Sequence, residues 1–215
     1  MKKIILIIVG IAFIINVGNA QDNKTDLRSK LMFGLKAGVN YANVYDAKGE
    51  AFNSNPRLGL ATGAFIAIPI GRYIGIQPEL LFSQRGFRAT GIILGSTYDF
   101  TRTSNYIDVP MLFAFKPSEF LTLLAGPQYS YLIKQKDVFA NATTSIQQEQ
   151  EFSNANIRKN MLCFTGGMDI TLKRFVFTAR VGWGIQNNNG DGTYNTPRYK
   201  DFWYQTTVGY RFYRK

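Results

Sequence analysis

The sequence predicts an all-β fold, an eight-stranded antiparallel transmembrane β-barrel with up-and-down meander topology, and three observations support this prediction. Apolar side chains recur at every second position in eight segments. Short turns alternate with long polar loops along the chain. Aromatic residues gather near the segment ends. The eight predicted strands are 33–41, 58–68, 74–85, 106–116, 121–134, 161–172, 175–186 and 202–212.

Segment 106–116 shows why the alternation matters. Its odd positions run from Ile107 to Phe115 and are all apolar, whereas its even positions include Asp108 and Pro110. Successive side chains of a strand point to opposite faces, so one face of this strand is uniformly apolar. The apolar parity is the same before and after Pro110, which predicts that the strand continues through the proline.

The first twenty residues predict an export signal. Lys2 and Lys3 precede the apolar run 4–15, and small residues at 18–20 provide a cleavage site. The run is shorter than the roughly 20 residues that a spanning helix needs. We therefore expect residues 1–20 to be a cleaved signal peptide, 21–30 a short N-terminal segment and 31–215 the barrel domain. Cys163 is the only cysteine, so no intrachain disulfide can form.

The connections indicate which end of the barrel is which. Short turns are predicted at 70–73, 117–120 and 173–174, and long polar loops at 46–57, 88–104, 135–156 and 187–200. An even number of strands with short turns on one side and long loops on the other is the plan of a bacterial outer-membrane barrel. Both termini would then lie in the periplasm of a Gram-negative bacterium.

Alternation alone leaves open which face meets the membrane, because a secreted soluble barrel also has eight strands but turns its apolar face inward. The less apolar face is rich in glycine, which suits a crowded interior better than a solvated face. Outward aromatics predict two girdles at the membrane interfaces, although aromatics also simply favour strands. The predicted periplasmic girdle comprises Phe33, Phe115, Phe175, Tyr210 and Phe212, and the outer girdle comprises Tyr41, Phe82, Tyr129, Tyr131, Trp183, Phe202 and Tyr204.

Four segments carry a family resemblance: FGLKAGVNYANV, IGIQPELLFSQRGF, YIDVPMLFAFK and LLAGPQYSYLI. In this order they resemble the PorT-like outer-membrane β-barrel family, often labelled simply the porin family, from about Leu31 to the C-terminus. The closing TTVGYRFYRK is similar to a barrel-assembly signal. The resemblance implies partners in the barrel-assembly machinery and, from the branch that names the family, a role with secretion-system proteins. The family's prolines recur as Pro78, Pro110 and Pro127, where we expect bulging or another local irregularity, since proline removes a ladder hydrogen bond.

The alternate positions predicted to face inward carry both acidic and basic residues, which would share one narrow lumen. We expect them to pair, because an unpaired buried charge is costly and eight strands leave room only for side chains. A side-chain-filled plug is therefore favoured over an ion path. The predicted lumen charge network is Lys36, Glu79, Arg85, Asp108, Asp169, Arg180 and Arg211, with Lys116 and Lys134 on the same parity.

The composition weighs against catalysis. The chain contains no histidine, so a histidine base and a histidine-based zinc site are absent, and no Gly-rich phosphate loop is present. We expect no enzyme activity, no catalytic residue, no cofactor and no metal. The net charge of +11 is scattered along the chain, which argues against nucleic-acid binding.

Several basic residues lie near the ends of the long loops. We expect them to contact outer-membrane lipid and lipopolysaccharide, and their alternative role is to keep the loops soluble. These residues are Arg57, Arg88, Arg102, Arg158, Lys159 and Arg198. The sequence thus favours a non-enzymatic outer-membrane barrel, either an envelope component or an accessory to protein secretion. A small solute or ion channel is the alternative, and a soluble ligand carrier is a third class.

Overall fold

A computed structural model of the chain describes residues 27–48, 53–93, 96–141, 145–150, 157–189 and 198–212. The predicted signal peptide and the closing residues 213–215 lie outside these ranges, as do parts of the predicted long loops. A 3₁₀ turn at Leu27–Ser29 precedes the first strand. No helix within the described ranges is long and apolar enough to cross a membrane.

Strands account for most of the described residues. They are β1 (Met32–Lys48), β2 (Asn53–Pro69), β3 (Ile74–Ile93), β4 (Ser96–Phe115), β5 (Leu121–Asn141), β6 (Ser145–Gln150), β7 (Asn160–Leu172), β8 (Phe175–Gly184) and β9 (Arg198–Phe212).

Eight of these strands form a closed ring. Neighbours pair antiparallel in the order β4-β3-β2-β1-β9-β8-β7-β5, and pairing between β4 and β5 closes the ring. The short strand β6 pairs with the end of β5 and lies outside the ring. The predicted eight-stranded antiparallel barrel is therefore confirmed.

The strand registers set the width of the barrel. Following paired positions once around the ring from Phe33 leads back to β1 at Asn43, a stagger of ten residues. Eight strands with this stagger tilt by about 43° to the axis and close at a backbone radius of roughly 8 Å. Such an interior has room for side chains and little else.

The strands run further than the alternation predicted. Strands β3 and β4 extend through most of the predicted loop 88–104, and β5 and β6 occupy parts of the predicted loop 135–156. Prediction of these stretches as loops was wrong because the outward side chains there meet water while the buried inward ones, such as Phe87 and Asp137, are both apolar and polar, so apolar residues need not alternate. We call this side of the barrel the long-strand end, and the side with the turns 70–73, 117–120 and 173–174 the short-turn end.

A bulge in β5 corrects one predicted orientation. Asn105 pairs with Lys134 while the adjacent Tyr106 pairs with Leu132, so Ile133 is an extra residue. The bulge reverses the facing of the chain beyond it. Lys134 is consequently exposed, whereas Gln135 is buried.

The three prolines interrupt the ladder without bulging it. Each pairs with the following strand: Pro78 with Met111, Pro110 with Gln128, and Pro127 with Phe164. Towards the preceding strand, ladder pairs are missing beside each proline, yet the register is the same on both sides of the gap. The expected irregularity is thus a missing ladder step, which the absent N–H explains; the expectation of bulges was wrong.

Glycines admit large side chains to the interior. The fully buried Trp203 on β9 lies over Gly182 on β8, where an added Cβ would overlap the indole ring. By contrast, a Cβ at Gly166 on β7 would have its nearest neighbour at 3.6 Å, an ordinary contact. The tryptophan can therefore fill the lumen only because β8 has no side chain at that point.

This packing predicts different costs for two glycine substitutions. Gly182→Ala should lower the free energy of unfolding by about 1–3 kcal/mol, the usual cost of overpacking, because the indole has no room to shift. Gly166→Ala is the matched control and should change it little. Urea unfolding of the vesicle-inserted barrel, followed by its heat-modified gel migration, measures both. Equal losses in the two variants would contradict the packing described here.

Candidate functional site: the barrel lumen

The lower tier of the lumen is an ion cluster centred on Glu79. We define the lower tier as Lys36, Gln77, Glu79, Asp169 and Arg180, all buried. The Glu79 carboxylate accepts hydrogen bonds from Lys36 Nζ, from Arg180 Nη1 and Nη2 at 2.6 and 2.7 Å, and from Gln77 Nε2 at 2.9 Å. Gln77 also donates to Asp169 at 3.1 Å, and Arg180 approaches Asp169 at 3.5 Å. Two bases and two acids make the tier neutral.

Four strands contribute to this tier. Lys36 comes from β1, Glu79 and Gln77 from β3, Asp169 from β7 and Arg180 from β8. Strands β3 and β8 are not neighbours in the ring, so the Glu79–Arg180 pair spans the lumen. The cluster therefore links opposite walls of the barrel.

An amide layer lies above the lower tier. Asn40 is completely buried, and its Nδ2 donates to Ser83 Oγ at 2.9 Å and to the carbonyl oxygens of Gln84 and Leu60 at 3.1 and 3.3 Å. Its Oδ1 accepts a hydrogen bond from Gln205 Nε2 at 3.0 Å. These neutral groups occupy the space between the two charged levels.

The upper tier is built around Arg85. We define it as Arg85, Tyr106, Asp108, Ser130 and Trp203, each less than 5 % exposed. Arg85 Nη2 pairs with Asp108 Oδ2 and donates to Ser130 Oγ at 3.3 Å. The guanidinium carbon lies 3.6 Å from the centroid of the Trp203 ring and 4.7 Å from that of Tyr106. Arg85 is thus held by an ion pair and by two aromatic faces.

A third cluster, the cap, lies in the strand extensions at the long-strand end. It comprises Phe87, Phe100, Arg102, Asp137 and Tyr199. Arg102 donates to both Asp137 oxygens at 2.8 and 2.6 Å and to Tyr199 Oη at 2.6 Å. Phe87 packs edge-on against Tyr199, with ring centroids 5.2 Å apart. Burial raises the pKa of the Tyr199 phenol, and the nearby Arg102 charge partly offsets that rise, so the phenol stays neutral.

The strand tilt gives each outward aromatic residue a level along the barrel axis. Each residue advances about 2.4 Å along the axis, and each step to the next paired strand about 3 Å. The five predicted periplasmic aromatics then lie within about 3 Å of the level of Phe33. The seven predicted outer aromatics lie about 16–22 Å above it. Aliphatic side chains such as Leu80, Met111 and Val208 occupy the exposed band between the two levels.

Residues 19–190 match the family model described as "Outer membrane protein beta-barrel domain". The chain belongs to this family. It is therefore an outer-membrane β-barrel protein.

Solved structures with a similar fold share little sequence with this family member. The attachment invasion locus protein Ail of Yersinia pestis is 16 % identical, with a TM-score of 0.48, covering 84 % of this chain and 98 % of its own. Neisserial surface protein A is 10 % identical, with a TM-score of 0.44 and coverages of 84 % and 97 %. OprG of Pseudomonas aeruginosa is 11 % identical, with a TM-score of 0.43 and coverages of 86 % and 98 %. No curated protein matched the chain.

Two basic residues of the inward parity lie at the short-turn end of this outer-membrane barrel and not in the tiers. Arg211 donates from Nε and Nη2 to the Lys173 carbonyl oxygen at 3.1 and 3.0 Å. Lys116 donates to the Arg28 carbonyl oxygen at 2.9 Å, which ties the N-terminal turn to the barrel mouth. Assignment of Arg211 to the lumen charge network was therefore wrong: its parity points inward, but its level is that of the barrel rim.

Several lumen residues were not singled out by sequence reasoning. Gln77, Asn40, Tyr106 and Trp203 all lie at positions that alternate inward, which was the available signal, but each has a partner on a strand distant in sequence. Cys163 packs in the upper lumen with its Sγ 3.7 Å from Ser130 Oγ. Within the described ranges, no group of three or more His, Cys, Asp or Glu is placed to hold a metal ion.

The lower tier predicts a large effect for the loss of one charge. Glu79→Gln should lower the free energy of unfolding by about 3–5 kcal/mol, because Lys36 and Arg180 would stay buried beside one acid instead of two. Glu119→Gln, at an exposed turn position, is the control and should change it by less than about 0.5 kcal/mol. Urea unfolding in lipid vesicles provides the measurement. A Glu79→Gln barrel as stable as the control would contradict a lumen held by these pairs.

Loss of the Arg102–Asp137 ion pair in the cap should destabilise the strand extensions and leave the rest of the barrel unchanged. Asp137→Asn removes the carboxylate that Arg102 binds twice, at a cost of about 1.5–3 kcal/mol. Amide hydrogens at 98–103 and 135–140 should then exchange roughly tenfold to a hundredfold faster, while those at 107–115 should keep their protection. Asp99→Asn, at an exposed position on the neighbouring strand β4, is the control. Faster exchange throughout the barrel would show that the cap is not a separate unit.

Proposed function

We propose that the protein is a closed, non-enzymatic barrel that serves as an envelope component or as an accessory to protein secretion. The observation that carries this proposal is the filling of the lumen. Glu79, Arg85, Asp108 and Arg180 point into the lumen, yet each is less than 5 % exposed. Side chains that line a water-filled channel are wet, so the burial of these charges at two levels weighs against a continuous water path.

The proposed orientation puts the short-turn end and both termini in the periplasm, after removal of residues 1–20. Two features support it. Outer-membrane barrels have short periplasmic turns and longer extracellular segments, and here the strands extend furthest at the long-strand end. The two aromatic levels, roughly 19 Å apart on average, suit the two interfaces of a bilayer and are proposed as its girdles.

The proposed role lies in what the long-strand end presents. The cap gives the strand extensions a small core of their own. This core would hold an ordered binding surface outside the membrane. A PorT-like role with secretion-system proteins rests on the sequence resemblance, and barrel-assembly machinery is the expected partner during insertion. Basic residues on the extensions, such as Arg57 and Arg158, suit the phosphates of lipopolysaccharide.

Conductance separates a closed barrel from a channel. Purified full-length protein added to a planar lipid bilayer should give no stable current steps, because the tiers leave no water path. A known porin added to the same bilayer is the positive control. Stable, reproducible steps from the wild-type protein would overturn the closed-barrel proposal in favour of a solute channel.

Asp108→Leu sharpens this test. It leaves Arg85 buried without its acid, so it should lower the yield of refolded barrel and the free energy of unfolding by about 3–5 kcal/mol. The refolded fraction should still carry no current, since Arg85 stays between two aromatic rings. A variant that refolds like the wild type and conducts ions would support a pore that Asp108 regulates.

A further inference from the structure

The short-turn end of the barrel carries a one-sided charge. The described residues there, at 27–31, 69–74, 115–121, 172–175 and 210–212, include seven basic residues and one acid, Glu119. The long-strand end comprises the described residues 43–48, 53–58, 86–93, 96–105, 133–141, 145–150, 157–160, 185–189 and 198–202. It includes ten basic residues and five acids. The lower tier, the nearest charged level of the lumen, is itself neutral.

Six of these bases occupy neighbouring positions around the barrel, and we call them the basic belt. They belong to the N-terminal segment, the turn between β2 and β3, the turn between β7 and β8, and the end of β9. These elements are carried by the contiguous strands β3-β2-β1-β9-β8-β7, whereas Glu119 lies in the turn between β4 and β5. The belt comprises Arg28, Lys30, Arg72, Lys173, Arg174 and Arg211.

Contacts with tyrosine place part of the belt at the membrane surface. Arg174 Nη1 donates to Tyr210 Oη at 3.0 Å, and its guanidinium carbon lies 5.9 Å from the centroid of that ring. Arg72 is exposed and lies 5.7 Å from the centroid of Tyr73, a residue that is 50 % exposed, whereas Arg28, 5.2 Å from the same centroid, is itself buried. Tyr210 belongs to the lower aromatic level. The strands that flank the β2–β3 turn and the β7–β8 turn also end within about 4 Å of the level of Phe33 along the barrel axis. The belt therefore lies where lipid headgroups meet water.

From this placement we infer that the exposed and half-buried residues of the basic belt bind the headgroups of anionic phospholipids in the periplasmic leaflet. This inference rests on the proposed orientation. Basic side chains just outside the hydrocarbon attract anionic lipid, and arginine in particular suits phosphate oxygens. A soluble acidic partner would not require guanidinium groups beside tyrosines on the outer wall of the barrel. A lipid ligand explains both the excess of basic residues and their level along the barrel axis.

The test compares lipid selectivity in vesicles of phosphatidylcholine containing phosphatidylglycerol. Electron spin resonance of spin-labelled lipids gives the association of phosphatidylglycerol with the full-length barrel relative to phosphatidylcholine. The belt variant is Arg72→Gln/Lys173→Gln/Arg174→Gln. We expect the wild type to favour phosphatidylglycerol and the belt variant to lose about fivefold or more of that preference, the effect of one basic residue near a membrane surface. Added salt should weaken the wild-type preference as well.

The matched control removes three bases from the other end, Arg88→Gln/Lys134→Gln/Lys136→Gln. These residues are exposed and lie about 8–13 Å beyond the mean upper aromatic level, so this variant should keep the wild-type preference. An equal loss in both variants, or an unchanged preference in the belt variant, would overturn the inference.

A double variant guards against misfolding. Arg72→Gln/Lys173→Gln alters two exposed side chains and leaves the Arg174–Tyr210 contact in place. If the triple variant does not insert, the double variant should still lose part of the preference, and retention of the full preference would overturn the inference. Conductance of the same proteoliposomes reports on the closed barrel independently, so the two proposals can fail separately.

Discussion

The structure depends on the hydrogen bonds that Glu79 accepts in the middle of the lumen. An eight-stranded ring with a stagger of ten leaves an interior that must be filled, and the inward parity fills it with charged side chains. Glu79 receives Lys36 from β1 and Arg180 from β8, and Gln77 extends the cluster to Asp169 on β7. Slipping any of these strands by one residue would turn its charge towards lipid. The cluster therefore favours one register of the whole ring, in addition to satisfying its own polar groups.

How much of this could be predicted from the sequence varies with what the prediction needs. Parity alone assigned Glu79 and Arg180 to the interior, because lipid on one side makes the alternation strict. Their pairing could not be predicted, since the two residues are 101 positions apart and their contact depends on the registers of the intervening strands. Parity also failed at Lys134, because the bulge at Ile133 leaves no mark in composition, and at Arg211, because parity gives a face but no level along the axis.

The strand extensions were missed because alternation of apolar residues identifies strands only where lipid covers one face. Beyond the upper aromatic level the outward face of the sheet meets water instead of lipid, so apolar residues no longer need to alternate with polar ones while backbone pairing continues. Segments 88–104 and 135–156 accordingly have the composition of loops, but much of each is strand. What holds the extensions together is the cap, in which Arg102 joins strands β4, β5 and β9 through Asp137 and Tyr199. Such a contact between distant segments is invisible to a local pattern.

The proposed closed lumen leaves the two ends of the barrel as the surfaces for recognition. A rigid interior transmits little, so whatever the protein recognises must meet surfaces that the strands hold in place. The ends offer different chemistry: the long-strand end has a folded extension with a core of its own, and the short-turn end has an excess of basic residues beside exposed tyrosines. The two proposed kinds of binding, beyond the membrane and at its surface, are therefore separable. The Glu79 cluster, which joins opposite walls between the two ends, is the element on which both depend.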